Sequence, residues 1–216
     1  WDTAEFQAVG PLLGTAHPTG FPTYVIVGWL ASVVLQPLGE PALRMNLLSA
    51  ICLAVAAGAT ALLVRRLTGR SWLALTVGVL LATTPIAWSI GTHADAHALH
   101  LALVAVLLVL LVDWERLQRA GASGAERRLV AAAAVYGLAL GNHSLVLLFA
   151  PGIALFVLAV EPRILARPRL VGACLLLAWG PGHHLEFAER VWRRRREMLP
   201  REVAQFPSGG GTIDGV

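Results

Sequence analysis

The sequence contains no lysine and few charged residues of any kind. Charged residues make up 14% of its 216 residues, whereas hydrophobic residues make up 56%. A soluble globular domain carries about 25% charged residues, so this composition, with a mean hydropathy of +0.67, indicates an integral membrane protein in a lipid bilayer. The formal net charge of +4 comes from arginines in loops and in the tail, and we predict no nucleic-acid partner.

Cysteine is equally scarce. Cys52 and Cys174 lie far apart in apolar runs, and neither belongs to a CxxC motif. We therefore interpret both as small buried hydrophobic residues. No disulfide framework or cysteine-based metal site is indicated.

Three segments of different composition follow one another. Residues 1–41 are predicted to form an extracytoplasmic loop of catalytic type with short helices, because several prolines prevent one continuous helix. Residues 42–182 are predicted to be transmembrane helices, and residues 183–216 a polar Arg/Gly-rich tail that is non-native or disordered. The sequence does not begin with methionine, so we interpret it as a fragment truncated from a longer protein.

Apolar runs within these segments predict the helices. Three runs are predicted spans, two further runs form a predicted hairpin with its tip at 142–144, and a hydrophilic loop separates the two groups. The predicted spans are 42–64, 72–90 and 98–112, the loop is 115–128, the hairpin arms are 129–141 and 145–160, a further span begins at 170–182, and a short half-buried helix covers 23–36.

The arginines predict the orientation of these helices. Ten of the eleven arginines before the tail lie in three segments, 65–70, 116–128 and 163–169. Positively charged loops remain on the cytoplasmic side of a membrane, so these three are predicted to be cytoplasmic. Alternation of the spans then places 1–41, 91–97 and 142–144 on the extracytoplasmic side.

Polar residues from three separate parts of the sequence are therefore predicted to converge on one extracytoplasmic face. Ionisable groups at a membrane boundary are usually functional, so this face is the predicted site. The residues predicted to lie on this face are Asp2, Glu5, His17, His93, Asp95, His97, Asn142 and His143.

Asp2 and Glu5 are the predicted catalytic acids of the first segment. They are three residues apart, so both would face one side of a helical turn. One carboxylate could deprotonate an acceptor hydroxyl while a second polar group holds the acceptor or the base. Asp95 is a third catalytic candidate, because it could work together with Asp2. The alternative is a solvated loop that contains two acids.

The histidines of the second polar segment could bind a metal ion. His93, His97 and His100 would share a helical face, and such spacing can bind zinc. No clear carboxylate accompanies them on that face, and the polar start of a helix at the membrane surface explains them equally well. We predict no metal ion at this site.

Arg44 and the pair Asn142–His143 are candidates for binding a phosphate-bearing substrate. Arg44 alone lies outside the cytoplasmic segments and the tail, and arginine suits phosphate recognition. It could instead be a side chain that snorkels to the interface. Asn142 and His143 could either cap two short helices or face a pocket.

Four motifs in order, WDTAEF, AHPTGFPTY, LRMNLLSA and GLALGNHS, resemble a group of bacterial polytopic proteins catalogued as a domain of unknown function. This group is related to a eukaryotic protein O-mannosyltransferase and belongs to the GT-C superfamily of glycosyltransferases. The resemblance covers roughly residues 1–180. It implies an all-α polytopic transmembrane helix bundle, of which this chain is the truncated N-terminal part.

The resemblance also implies a chemistry. GT-C enzymes transfer a sugar, such as mannose, from a polyprenyl-phosphate donor to an extracytoplasmic hydroxyl, usually with inversion and here without a cofactor. Asp2 matches the family's loop aspartate, Glu5 its following glutamate and His17 its HP motif. The second loop departs from the pattern, since ADAHAL stands where the family shows a glutamate followed by an aromatic residue, and Asp95 is the candidate replacement.

We therefore predict a membrane glycosyltransferase, in a bacterial inner membrane, that acts on a lipid-linked sugar donor and a protein or glycan acceptor. Asp2 is the predicted base and Glu5 positions the acceptor or the base. The alternatives are a transporter or flippase and a non-catalytic scaffold. A transport path is disfavoured because 45–64, 71–91 and 101–112 contain no charged residue. The predicted donor-binding residues are His17, Arg44, Asn142 and His143.

Overall fold

The computed structural model describes residues 2–14, 16–17 and 21–179. Within these ranges the chain is all helical and contains no strand, which confirms the predicted all-α fold. The predicted tail at 183–216 lies outside the described residues. The α-helices are α1 (Thr3–Leu12), α2 (Pro22–Val34), α3 (Pro41–Thr68), α4 (Ser71–Thr83), α5 (Pro85–Thr92), α6 (Ala96–Arg119), α7 (Ala125–Asn142), α8 (Ala150–Val160) and α9 (Pro168–Trp179), with short 3-10 helices at Gln36–Leu38, Ser144–Phe149 and Pro162–Ala166.

Helices α3 and α6 are each long and apolar enough to cross a membrane. At 1.5 Å per residue they extend about 42 and 36 Å, compared with a hydrocarbon core of about 30 Å. They run parallel, because Asn46 near the start of α3 contacts Ala94 just before α6, and Arg66 near the end of α3 pairs with Asp113 of α6. The return between them is made by α4 and α5.

The predicted span at 72–90 is two helices, not one. Helices α4 and α5 are bent by 64° at their junction, and together they are long and apolar enough for one broken span or a re-entrant loop. Pro85 has no N–H to continue the helix and confines the preceding Thr84 to an extended conformation, at φ −63° and ψ 143°. The Thr84 hydroxyl then accepts a hydrogen bond from the N–H of Ala87 and caps α5.

The hydrophilic loop predicted at 115–128 is mostly helical. Helix α6 continues to Arg119 and α7 begins at Ala125, which leaves only 120–124 outside a helix. An ion pair between Glu115 and Arg119, one turn apart, stabilises the end of α6. Polar composition alone did not distinguish these solvated helix ends from a loop.

A small unit of α1 and α2 packs against the start of α3. The two short helices approach closely at Gly10 and Gly28, where a Cβ on Gly10 would lie 3.3 Å from the Cα of Gly28 and 2.6 Å from Cε of Met45. Phe6, Tyr24 and Met45 are buried at this junction. This packing ties the segment that carries Asp2 and Glu5 to the membrane helices.

Two chemically different ends result. At one end, Arg66 pairs with Asp113, with 3.1 Å between Nε and Oδ1, and Arg167 pairs with Glu126, with 3.1 Å between Nη1 and Oε1. The arginine-rich segments lie at this end. The acids and histidines singled out in the sequence lie at the other, near the starts of α1 and α6 and the end of α7.

A candidate active site at one end of the bundle

The first segment folds back on itself and brings His17 to the start of α1. Asp2 immediately precedes α1 and Glu5 lies in its first turn. The helix ends at Leu12, and the next residue, Leu13, adopts the left-handed conformation with φ 48° and ψ 40°. The N–H of Gly14 donates to the carbonyl of Val9 at 2.9 Å, so the chain reverses and returns along α1.

Asp2, Glu5 and His17 form one cluster. Both oxygens of Glu5 are engaged by His17: Oε1 accepts from the backbone N–H at 2.6 Å, and Oε2 lies 2.8 Å from Nδ1 of the ring. The other ring nitrogen, Nε2, lies 3.8 Å from Oδ2 of Asp2. The side chain of Asp2 is 61% exposed, against 33% for Glu5. The carboxylate of Asp2 is therefore the more exposed of the two.

These three residues could also hold a metal ion. One ligand atom from each lies within 4.8 Å of the others, and no other group of this kind occurs among residues 2–14, 16–17 and 21–179. The donor set of two carboxylates and one imidazole suits several divalent cations. The prediction that no metal takes part stays a prediction.

Aromatic rings join this cluster to a second one. The ring of Phe21 lies 5.3 Å from that of His17 and 5.7 Å from that of His143, measured between centroids. Phe21 is buried and has φ 44°, a conformation that is strained for a bulky residue. Such strain is more common at functional sites than elsewhere.

The second cluster contains three histidines and Asp95. The ring of His143 lies 5.2 Å from that of His97 and 5.5 Å from that of His100. Oδ1 of Asp95 accepts from the backbone N–H of His97 at 2.7 Å and lies 2.8 Å from Nδ1 of its ring. Asp95 thus caps α6 and orients His97 at the same time.

The surroundings of His143 favour one neutral tautomer of its ring. Its Nδ1 accepts a hydrogen bond from the N–H of Leu145 at 3.1 Å. Burial, followed by the charge of His97, lowers the pKa of His143 below its usual value, so the neutral ring predominates at pH 7. A neutral ring that accepts at Nδ1 carries its proton on Nε2, which leaves that atom as a donor.

The backbone that carries Asp95 is held by polar side chains of α3. The N–H of Ala94 donates to Oδ1 of Asn46 at 2.9 Å, and the N–H of Asp95 donates to Oγ of Ser49 at 3.1 Å. Sequence reasoning assigned no role to Asn46 or Ser49. The available signal was two polar residues three apart in an otherwise apolar run, which places them on one helical face.

Asn142 belongs to the same support. It is 1% exposed, and its Nδ2 donates to the carbonyl of Ala96 at 3.0 Å. This contact assigns Asn142 a structural role, and its predicted contact with a donor stays a prediction.

Arg44 and His93 do not join either cluster through a contact within the described part of the chain. The guanidinium of Arg44 donates from Nε to the carbonyl of Gly39 at 2.7 Å and from Nη1 to that of Ser32 at 2.8 Å. It thereby ties the end of α2 to the start of α3. His93 contacts the carbonyl of Ser89 in the preceding helix, α5.

Comparison with known proteins identifies a matching family. The profile of the family described as Protein O-mannosyl-transferase TMEM260 N-terminal domain matches residues 2–164, a range that contains both clusters. The chain is 30% identical over 169 residues to the Protein O-mannosyl-transferase TMEM260 of Mus musculus. The matched region covers 77% of this chain and 22% of that protein. The chain thus spans about a fifth of the length of this curated relative. No solved structure matches it.

Proposed function

The chain belongs to the family of the Protein O-mannosyl-transferase TMEM260 N-terminal domain, and on this basis we propose that it is the N-terminal part of a membrane glycosyltransferase of GT-C type. It transfers a sugar, such as mannose, from a polyprenyl-phosphate donor to a hydroxyl of a protein or glycan acceptor. Its membrane is proposed to be a bacterial inner membrane. The site faces the extracytoplasmic side, because the arginine-rich end lies opposite.

The observation that carries this proposal is the exposed carboxylate of Asp2 beside the ordered pair Glu5–His17. The Asp2 carboxylate removes the proton from the acceptor hydroxyl. The acceptor oxygen forms a bond to the anomeric carbon from the face opposite the leaving group. The bond between that carbon and the phosphate oxygen breaks, and the polyprenyl phosphate leaves with the electron pair.

Glu5 acts through His17 in this scheme. Because His17 engages both carboxylate oxygens of Glu5, Glu5 is less available to an acceptor than Asp2 is. It orients the imidazole so that Nε2 faces Asp2. When both ring nitrogens carry a proton, Nδ1 donates to Glu5 and Nε2 is free to donate to Asp2 or to a phosphate oxygen of the donor.

The second cluster is the proposed contact for the donor phosphate. The Nε2–H of His143 is a donor, and the rings of His97 and His100 lie against it. Hydrogen-bond donors placed where negative charge develops stabilise a departing phosphate. Arg44 is a proposed further phosphate contact, provided that its guanidinium exchanges the carbonyls of Ser32 and Gly39 for the phosphate.

Sugar transfer by the full-length protein in membranes tests the proposal. With polyprenyl-phosphate mannose as donor, Asp2→Asn is expected to reduce transfer by about 10²–10⁴-fold at unchanged insertion. Glu126→Gln is the matched control, because Glu126 is 63% exposed and also lies in a surface ion pair, but at the opposite end. If Asp2→Asn is active while Asp95→Asn is inactive, the base is misassigned. If neither change reduces transfer, this function is wrong.

A further inference from the structure

The segment 94–96 has an unusual environment for a connection between two helices. Ala94 and Ala96 are fully buried, and the side chain of Asp95 between them is 22% exposed. Buried backbone groups require hydrogen-bond partners. Side chains from two other helices, α3 and α7, supply them: Asn46 and Ser49 from the first and Asn142 from the second.

Asn46 differs from Ser49 and Asn142 because its side-chain oxygen accepts hydrogen bonds from two different parts of the fold. Its Oδ1 accepts from the N–H of Ala94 at 2.9 Å and from Nε2 of Gln7 at 3.0 Å. Gln7 lies on α1, two residues after Glu5. One oxygen atom therefore links the helix that begins beside Asp2 to the backbone immediately before Asp95.

Loss of this oxygen would affect both segments. A backbone N–H at a fully buried residue that loses its acceptor carries the desolvation penalty of an unpaired donor, so the segment around Ala94 would shift to find another partner. Such a shift displaces Asp95 and the His97 ring that it orients. Removal of the Gln7 side chain breaks only the link to α1, because the bond from Ala94 to Asn46 remains.

We propose that Asn46 is a positioning residue that sets the acid-bearing start of α1 against the Asp95 segment, through hydrogen bonds from Gln7 and Ala94. The inference rests on the proposed function, in which the two clusters act on one acceptor and one donor. Asn46 touches neither substrate. It fixes the separation of the groups that do.

Three variants of the full-length protein separate the two bonds. Asn46→Leu removes the acceptor for both, Gln7→Leu removes only the bond to α1, and Asn46→Asp keeps an acceptor oxygen at the same place. Gln118→Leu is the matched control, because Nε2 of Gln118 makes one comparable bond to Glu161 at the arginine-rich end.

The first measurement is amide hydrogen exchange of peptides that cover 3–12 and 93–97. Asn46→Leu is expected to accelerate exchange at 93–97 by roughly 5- to 150-fold, the range that corresponds to a buried donor left unpaired. Asn46→Asp restores protection, and Gln7→Leu leaves 93–97 protected but accelerates exchange at 3–12. Unchanged exchange at 93–97 in Asn46→Leu would overturn the proposal, whether or not the protein transfers a sugar.

The second measurement is the kinetics of sugar transfer. Asn46→Leu is expected to lower kcat by about tenfold with little change in the KM of the donor, the pattern of an interaction that orders the reacting groups, and Asn46→Asp to restore most of it. Gln118→Leu should match the wild type in both measurements. A wild-type protein without transfer activity contradicts the proposed function. In that case the exchange measurement alone tests whether Asn46 holds α1 and the Asp95 segment together. An active wild type with fully active Asn46→Leu contradicts the positioning role alone.

Discussion

Nε2 of His17 lies 3.8 Å from Oδ2 of Asp2, while Nδ1 of the same ring lies 2.8 Å from Oε2 of Glu5. A single imidazole thus stands between two carboxylates of different exposure. Asp2 is the more exposed one, and Glu5 contacts His17 with both of its oxygens. This division of roles leads to the first prediction.

Glu5→Gln is expected to reduce sugar transfer less than Asp2→Asn does. A glutamine can accept from either the backbone N–H or the ring of His17, but not with two charged oxygens, so the ring is less firmly oriented. Since a hydrogen bond to a charged group contributes about 1.5–3 kcal/mol, kcat should fall by roughly tenfold or more. The measurement is kcat and the donor KM in membranes at matched expression. Glu40→Gln, at the start of α3, is the control, and equal loss in Glu5→Gln and Asp2→Asn would contradict the assignment.

Removal of divalent cations is expected to leave sugar transfer unchanged, because the proposed reaction needs only a base and hydrogen-bond donors. The measurement is the transfer rate before and after treatment with a chelator, followed by addition of Mg²⁺, Mn²⁺ or Zn²⁺. A loss that one of these ions reverses would show that an ion takes part. If Glu5→Gln then raised the concentration of ion needed, the cluster of Asp2, Glu5 and His17 would be its site.

Protonation of His143 is expected to lower the free energy of unfolding as pH falls. Its pKa is lowered in the folded protein by burial and by the charge of His97, so the unfolded chain binds the proton first as pH falls below about 6.5. The contribution of His143 to the free energy of unfolding is complete above that pH. It is lost as pH falls further towards the lower pKa of His143 in the folded protein. Thermal unfolding of the purified protein at pH 7.5 and 5.5 measures this. His143→Gln should show a smaller difference between the two pH values, and an unchanged difference would contradict the prediction.

The two ends of the bundle are expected to lie on opposite sides of the membrane. Ser123→Cys, exposed between α6 and α7, should be protected from an impermeant thiol reagent in intact cells, whereas His93→Cys should react. Both variants are made in a background without Cys52 and Cys174. Permeabilised cells provide the control, since both positions should then react. Labelling of position 123 from outside would overturn the orientation and with it the extracytoplasmic site.

The sequence by itself determined that the chain is an all-α membrane protein with long helices at α3 and α6. Those helices follow from uninterrupted apolar runs, whose length and composition are local properties of the chain. The nearness of Asp2 and Glu5 also followed from local spacing, because residues three apart share a helical face.

Tertiary structure decided what local patterns could not express. The partners of Arg44 and the link from Gln7 through Asn46 to Ala94 depend on which helices pack together, since the bonded residues are up to 48 positions apart. A hydrogen bond of that kind forms only when packing brings its two groups within about 3 Å at a suitable angle, and no periodicity in the sequence encodes that meeting.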